Sequence, residues 1–341
     1  MAAKAPNDQR TMRAAFFEAA HTITVRSAPI PETEADDVRL RVMACGICGS
    51  DLSLYKTGVL AGPGVILGHE VSAVVESDPS GQWEAGARVV PYPGGRGCGT
   101  CVWCREGSYR YCMNAPGFHG GGFAEFMAVP RRDLIAVPDD LDDRMAALAE
   151  PVGVALRGVE MADPSPGDLA YVSGLGSIGL FTVVALVAAG CRVIGADPRV
   201  DRRALGVDLG CVEAFDPAAD DPAARTTAVD PHGPRNAFEC SGSPESLQQV
   251  FDTCGHRGVV GILGIPMAPV FLLRMTLREL RAFSIQGPTV DSMRAALELL
   301  RARPEAGKVI SNVVPLDGAN QAFADLAGGS GEVKVLVEPG G

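Results

Sequence analysis

The pattern of apolar and polar positions changes character partway along the chain. Up to about residue 150 it is made of short β patterns broken by turns, such as "DDVRLRVMACGI" and "GARVVPYP". These predict a β-rich region of short strands. Farther on, Leu169 to Cys191 carries no charge over 23 residues, long enough to cross a bilayer. Pro166-Gly167 introduces this stretch as a turn, however, and Gly174, Gly176 and Gly179 interrupt it early. The pattern predicts a buried strand over Leu169–Ser173, a helix over Ser177–Ala189 and a second strand over Cys191–Ala196. The rhythm continues with strands in "NAFECSG" (236–242), "RGVVGILG" (257–264) and "AFSIQG" (282–287). Alternating strands and helices predict an α/β fold, a doubly wound parallel sheet of Rossmann type over about 154–287. "DSMRAALELLRA" (291–302) reads as an amphipathic packing helix with Met293, Leu297 and Leu300 on its apolar face.

Composition removes several function classes. The chain has 341 residues, 47% of them apolar, enough for two domains with sizeable cores. Its net charge of −11 and pI of about 5.0 argue against binding nucleic acid or anionic lipid. The first ten or so residues read as a loose leader before a fold that starts near Met12. They hold no apolar stretch of secretory length, so a cytoplasmic chain with reduced thiols is expected. Ten cysteines are too few for a disulfide scaffold at this length.

The glycines of the apolar stretch form G-x-G-x-x-G: Gly174, Gly176, Ser177, Ile178 and Gly179 lie between the first strand and its helix. Gly174 suits a tight turn, Gly176 lets the backbone approach a pyrophosphate on the helix N-terminus, and Gly179 permits close helix–strand packing. Asp197 ends the second strand, 18 residues after Gly179, where it can accept from adenosine ribose hydroxyls. A carboxylate there repels a 2′-phosphate, which favours NAD over NADP. Arg199 and Arg202 keep a phosphate reading open, and Arg202 is placed either to pack on adenine or to contact the ribose.

"GCGTCVWCREGSYRYC" spaces Cys98, Cys101, Cys104 and Cys112 as C-x2-C-x2-C-x7-C. Such spacers bring four sulfurs from one loop onto a common centre. Four thiolates suit a closed tetrahedral Zn²⁺, a structural site. A disulfide pair and an iron–sulfur cluster are the weaker alternatives. Gly95, Gly97 and Gly99 let the loop, about 95–113, fold tightly round an ion. A closed site does no chemistry, so a catalytic centre must lie elsewhere.

Three further stretches are weak singly: "ACGICGSDLSLY" (44–55), "LGHE" (67–70) and "ALAEPV" (147–152). A lone His69 is more often packed, Glu150 before Pro151 could mark a domain edge, and the Cys45/Cys48 pair lacks a thioredoxin-like surround. Together, and beside the four-cysteine loop, they resemble the zinc-dependent medium-chain dehydrogenase/reductase family, nearest the sorbitol and threonine dehydrogenases. The resemblance runs over nearly the whole chain from about Met12. It implies that Cys48, His69 and Glu150 surround a catalytic zinc, with Glu70 a possible replacement for Glu150 or a transient ligand. Cys45 then falls outside the set as a packed thiol. One thiolate, one imidazole and one carboxylate balance the 2+ charge and leave a fourth position open. Zinc can lower the pKa of a bound oxygen by roughly 9 units, worth about 12 kcal/mol, an effect such ligands blunt.

The resemblance also implies that Ser50 takes the alcohol proton and that Asp51 supports His69. Ser53 stands where many relatives carry a histidine, with Tyr55 just beyond, so no terminal base is assigned. The backbone at Leu263 and Gly264 is expected to meet the nicotinamide carboxamide. The β-rich region, residues 1–153, would be a GroES-like catalytic domain; 154–287 would bind NAD, and 288–341 would return to the catalytic domain. The implied reaction moves a hydride between NAD and a secondary alcohol or a polyol or cyclitol, in a homodimer or homotetramer. Weaker readings are an NADP-dependent reductase of a ketone or aldehyde, a zinc-free quinone or enoyl reductase, and a non-catalytic zinc and nucleotide binder.

Overall fold

The structure, a computed structural model, describes residues 11–59, 62–106, 108–114 and 120–340. The expected leader lies outside the described residues. The first described strand starts at Thr11, where the apolar pattern begins. Eight strands follow one another: β1 (Thr11–Ala19), β2 (Thr22–Pro29), β3 (Asp37–Gly46), β4 (Val65–Ile66), β5 (Glu70–Ser77), β6 (Arg88–Pro91), β7 (Phe126–Pro130) and β8 (Leu134–Ala136). Six more then alternate with helices: β9 (Leu169–Ser173), β10 (Arg192–Ala196), β11 (Cys211–Phe215), β12 (Asn236–Glu239), β13 (Val259–Ile262) and β14 (Arg281–Ser284). The chain closes with β15 (Ile310–Pro315) and β16 (Lys334–Glu338).

Two units result: residues up to Leu148 together with those from Ile310 on, and Ala149–Val309. In the first, β2, β1 and β4 form one sheet, and a second runs β15-β16-β3-β5-β6-β8 with β7 also paired to β3. Alternation along β3 turns Val38, Leu40 and Val42 inward, each at most 1% exposed, onto a core that includes Phe17, Phe123 and Phe323. Removing one such side chain, as in Leu40→Ala, costs about 2–5 kcal/mol. The C-terminal strand β16 lies antiparallel to β3, with Leu336 opposite Gly46, and β5 flanks the other side with Glu70 opposite Gly46. That register places the ends of three strands remote in sequence around Gly46.

The second unit is a six-stranded parallel sheet in the order β11-β10-β9-β12-β13-β14. In chain order this is 3-2-1-4-5-6, the doubly wound Rossmann arrangement. Its ligand crevice opens where the order reverses, between β9 and β12. All five residues of β9 are buried, as the charge-free run predicts. The helix after it spans Ser177–Ala188, one residue shorter than expected. The amphipathic helix forms over Val290–Ala302 and buries Met293, Ala296, Leu297 and Leu300. It packs against the helix Ala149–Ala162. Residues 149–153 and 288–309 therefore cluster with the parallel sheet, whereas the sequence places them with the β-rich region.

Candidate metal centres and dinucleotide site

The end of β3 delivers Cys48 to the N-terminus of the helix Gly49–Thr57. Asp51, in the first turn of that helix, is 3% exposed and ties the local structure together. The Cys48 N–H donates to its Oδ2 (3.1 Å) and the Gly68 N–H to its Oδ1 (3.4 Å). Asp51 Oδ1 also lies 3.6 Å from His69 Nδ1. An imidazole held at Nδ1 presents Nε2 as its ligand atom.

Cys48, His69 and Glu70 each bring a ligand atom within 4.8 Å of the others. With metal–ligand bonds of about 2.0–2.3 Å, such a trio can close on one ion with little movement. Burial opposes a charge on His69, but the Asp51 carboxylate and the Cys48 sulfur outweigh it and raise its pKa well above the ordinary histidine value. A cation between these groups would supply the positive charge that the proton otherwise provides.

The pocket has a member the sequence did not announce. Lys334, on β16 and 1% exposed, donates through Nζ to Glu70 Oε1 (2.8 Å), Glu70 Oε2 (2.7 Å) and the Ile47 carbonyl (3.0 Å). Gly46 leaves room for that carboxylate, since a Cβ there would lie 2.0 Å from Glu70 Oε2. A lone lysine inside the apolar run "VKVLV" was the available signal.

The other expected residues fall as follows. Glu150 is buried in the first turn of the helix Ala149–Ala162, in the second unit. Ser50 is half-buried in the first turn of its helix, and Ser53 is exposed. Tyr55 is buried, packs on Phe323 and donates its hydroxyl to the His21 carbonyl (3.2 Å), which makes it a core residue and not the end of a proton relay. Cys45 is fully buried, and burial pushes its thiol pKa up, as suits a packed thiol.

Cys98, Cys101, Cys104 and Cys112 also bring their sulfurs within 4.8 Å of one another. All four are free thiols in this structure. The Cys98 N–H donates to Cys112 Sγ (3.3 Å). The Thr100 hydroxyl, nearby backbone N–H groups and Asn114 lower the Cys98 pKa to about 5, while burial raises that of Cys104 to about 11. A cation bound among the four sulfurs would favour the thiolate form of each. Arg96, at the start of the loop, holds buried Asp37 through two bonds (3.0 and 2.7 Å) and so anchors the loop to the start of β3.

In the second unit, Gly174 adopts φ +91, a conformation that disfavours side chains, and its N–H donates to the Ala196 carbonyl (2.8 Å). A Cβ on Gly179 would lie 1.8 Å from the Gly174 carbonyl oxygen, so the helix can approach the turn only with glycine there. Gly176 caps the helix Ser177–Ala188, whose first residues Ser177 and Ile178 are half-buried. Buried Asp197 accepts from the Leu175 N–H at Oδ2 and the Arg199 N–H at Oδ1, both at 2.9 Å. It thereby links the glycine turn to the end of β10. Arg199 pairs with Asp201 (3.0 Å), and Arg203 donates to the carbonyls of Asp197 and Pro198 (2.8 Å each). Arg202 lies 3.8 Å from Asp197 Oδ2. Leu263 and Gly264 follow β13, their N–H groups donating to the Glu239 carbonyl (2.8 and 3.0 Å). Among the described residues no helix is long and apolar enough to cross a membrane.

Residues 34–139 match the family described as alcohol dehydrogenase GroES-like domain, and residues 177–302 match zinc-binding dehydrogenase. The chain is 30% identical to the (R,R)-butanediol dehydrogenase of Bacillus subtilis (strain 168), over 96% of this chain and 100% of that one. It is 29% identical to the sorbitol dehydrogenase of the same organism, over 75% and 76%. Among solved structures, a zinc-binding dehydrogenase from Sinorhizobium meliloti 1021 bound to NADP superimposes with a TM-score of 0.87, at 32% identity, covering 97% of this chain and 100% of that one.

Proposed function

Because the chain belongs to the zinc-dependent medium-chain dehydrogenase/reductase family, an NAD(P)-linked oxidoreductase class, we propose that it oxidises a secondary alcohol, polyol or cyclitol reversibly to the carbonyl compound with NAD. The observation that carries this reading is the convergence of Cys48, His69 and Glu70, with Asp51 behind the histidine. Bound there, zinc supplies Lewis acidity and the dinucleotide supplies the hydride acceptor. Cys48 and His69 are two of the protein ligands, and Asp51 fixes the imidazole. The third ligand is a carboxylate: Glu150 is the one the family resemblance implies, and Glu70, which lies with Cys48 and His69 and accepts from Lys334 at both oxygens, is the one in reserve. Ser50 accepts the substrate proton through its hydroxyl, and Ser53 or water carries it onward.

The four-cysteine loop holds a second, structural zinc. Gly174, Gly176, Ser177, Ile178 and Gly179 would hold the dinucleotide's pyrophosphate, Asp197 and Arg202 its adenosine ribose, and Leu263 and Gly264 its carboxamide. Cys48, His69 and Glu70 belong to the first unit, and Glu150 and the glycine turn to the second. NAD is favoured because the Asp197 carboxylate opposes a 2′-phosphate, and Arg199 is turned toward Asp201. Use of NADP is the second reading, supported by the relative bound to NADP and by Arg202 beside Asp197. Two relatives named for a polyol and a diol support the substrate class. A cytoplasmic homo-oligomer fits the edge strand β14, beside which Met267, Phe271, Leu272 and Leu277 are exposed.

The test is a screen of NAD⁺ and NADP⁺ reduction against secondary alcohols, polyols, cyclitols and amino alcohols. Turnover of a secondary alcohol with NAD⁺ preferred is expected. Binding of NADH and two zinc ions without turnover of any alcohol would instead support the non-catalytic reading.

A further inference from the structure

We infer that Glu239 is a positioning residue for the nicotinamide half of the cofactor, an inference that rests on the dinucleotide reading of this unit. Glu239 is the last residue of β12, beside the point where the strand order reverses, and it is 0% exposed. Its Oε1 accepts three hydrogen bonds, from the Ser241 N–H (2.8 Å), the Ser241 hydroxyl (2.7 Å) and the Gly242 N–H (2.8 Å). The turn 240–242 is thus wound round one carboxylate oxygen. That turn is pressed against the glycine loop, since a Cβ on Gly174 would lie 2.7 Å from the Ser241 nitrogen. On the other side, the Glu239 carbonyl holds the N–H groups of Leu263 and Gly264. Its Oε2 has no hydrogen-bond partner, and a Cβ on Gly264 would lie 2.3 Å from it and 2.7 Å from the Gly242 nitrogen.

One residue therefore spans from the loop proposed to carry the pyrophosphate to the loop proposed to carry the carboxamide. Neutral donors alone surround Oε1, and nothing pairs Oε2. A serine or asparagine could cap the same turn without burying a charge. Side chains that break a local rule in this way tend to mark function. The carboxylate fixes the turn 240–242, on which Gly264 packs directly, and so sets where a nicotinamide ring comes to rest. The adenosine ribose is held elsewhere, at Asp197.

The full-length protein is titrated with NADH and, separately, with ADP-ribose, which lacks the nicotinamide. Glu239→Ala is expected to weaken NADH binding by about tenfold while ADP-ribose binding stays within about twofold. Glu239→Gln, which keeps an acceptor for the turn, is expected to restore most of the NADH affinity. Gly264→Ala should weaken NADH in the same way, since a Cβ there meets both Glu239 Oε2 and the Gly242 nitrogen. Equal weakening of both ligands would reduce Glu239 to a structural role, and no change in either would remove it from the site. A wild-type protein that binds neither NADH, NADPH nor ADP-ribose would instead overturn the dinucleotide reading beneath it.

Discussion

Replacing Lys334 with methionine isolates the least expected member of the metal pocket. The substitution keeps much of the side-chain length and removes the charge. Glu70, 1% exposed, then loses two bonds of 2.8 and 2.7 Å, and the Ile47 carbonyl loses a third. Breaking one half of a buried ion pair costs about 3–5 kcal/mol, because the remaining charge is left without a partner. Glu70→Gln in the same chain removes that charge, so the double variant should be more stable than Lys334→Met alone. Both tryptophans of the chain, Trp83 and Trp103, lie in the first unit, so their fluorescence during urea unfolding reports this unit separately. The measurement belongs in the chelated protein, where no cation can take over the Lys334 charge. Adding zinc should recover part of the loss in Lys334→Met as Glu70 turns to the metal. A loss below about 1 kcal/mol, or strictly additive single and double variants, would refute the reasoning.

Other predictions are simpler. Asp51→Asn should lower metal affinity at Cys48 and His69 by about 10–100-fold, read by competition with a chelator, because the imidazole loses its orienting carboxylate; unchanged affinity would contradict the geometry. Gly179→Ala should abolish NADH binding while leaving zinc content intact, since a Cβ there meets the Gly174 carbonyl at 1.8 Å; a variant that binds NADH normally would show the turn can yield. Arg131 holds Asp78 Oδ1 at 2.8 Å, and with the Ser80 and Trp83 N–H groups it keeps that carboxyl, against the effect of burial, below the usual carboxylate range. A depressed pKa contributes stability that is present above the unfolded value of about 3.9 and is lost as pH falls through the folded value. The stability gap between wild type and Asp78→Asn should therefore be constant near neutral pH and shrink below about pH 4, as measured by urea midpoints. A gap that widened on acidification would reverse the sign.

What the sequence revealed was mostly local. The glycines at 174, 176 and 179 are dictated by a turn and a helix approach within six residues of each other, and the four cysteines share one loop. Lys334 and Glu70 are 264 residues apart and meet only through the register of β16, β3 and β5. No periodicity along either strand encodes that meeting. Glu239 is similar: its neighbours in sequence show the turn it caps, but its approach to Gly264 depends on the parallel pairing of β12 with β13. The amphipathic pattern of 290–302 correctly announced a packed helix but not its partner. Its contact with the helix Ala149–Ala162 carries the edge of the second unit to Val309. Nothing local to Tyr55 in sequence shows that its ring is buried or that its hydroxyl donates to the His21 carbonyl, 34 residues away.

The central claim is that Cys48 and His69, with a carboxylate, hold one metal on which alcohol oxidation depends, apart from the metal of the four-cysteine loop. Zinc per chain and alcohol-dependent NAD⁺ reduction, measured together on wild type and Cys48→Ala, test it most directly. Two zinc ions should fall to one, with the reaction lost and the fold kept. Undiminished alcohol oxidation by the variant, or a zinc content that does not change, would contradict it.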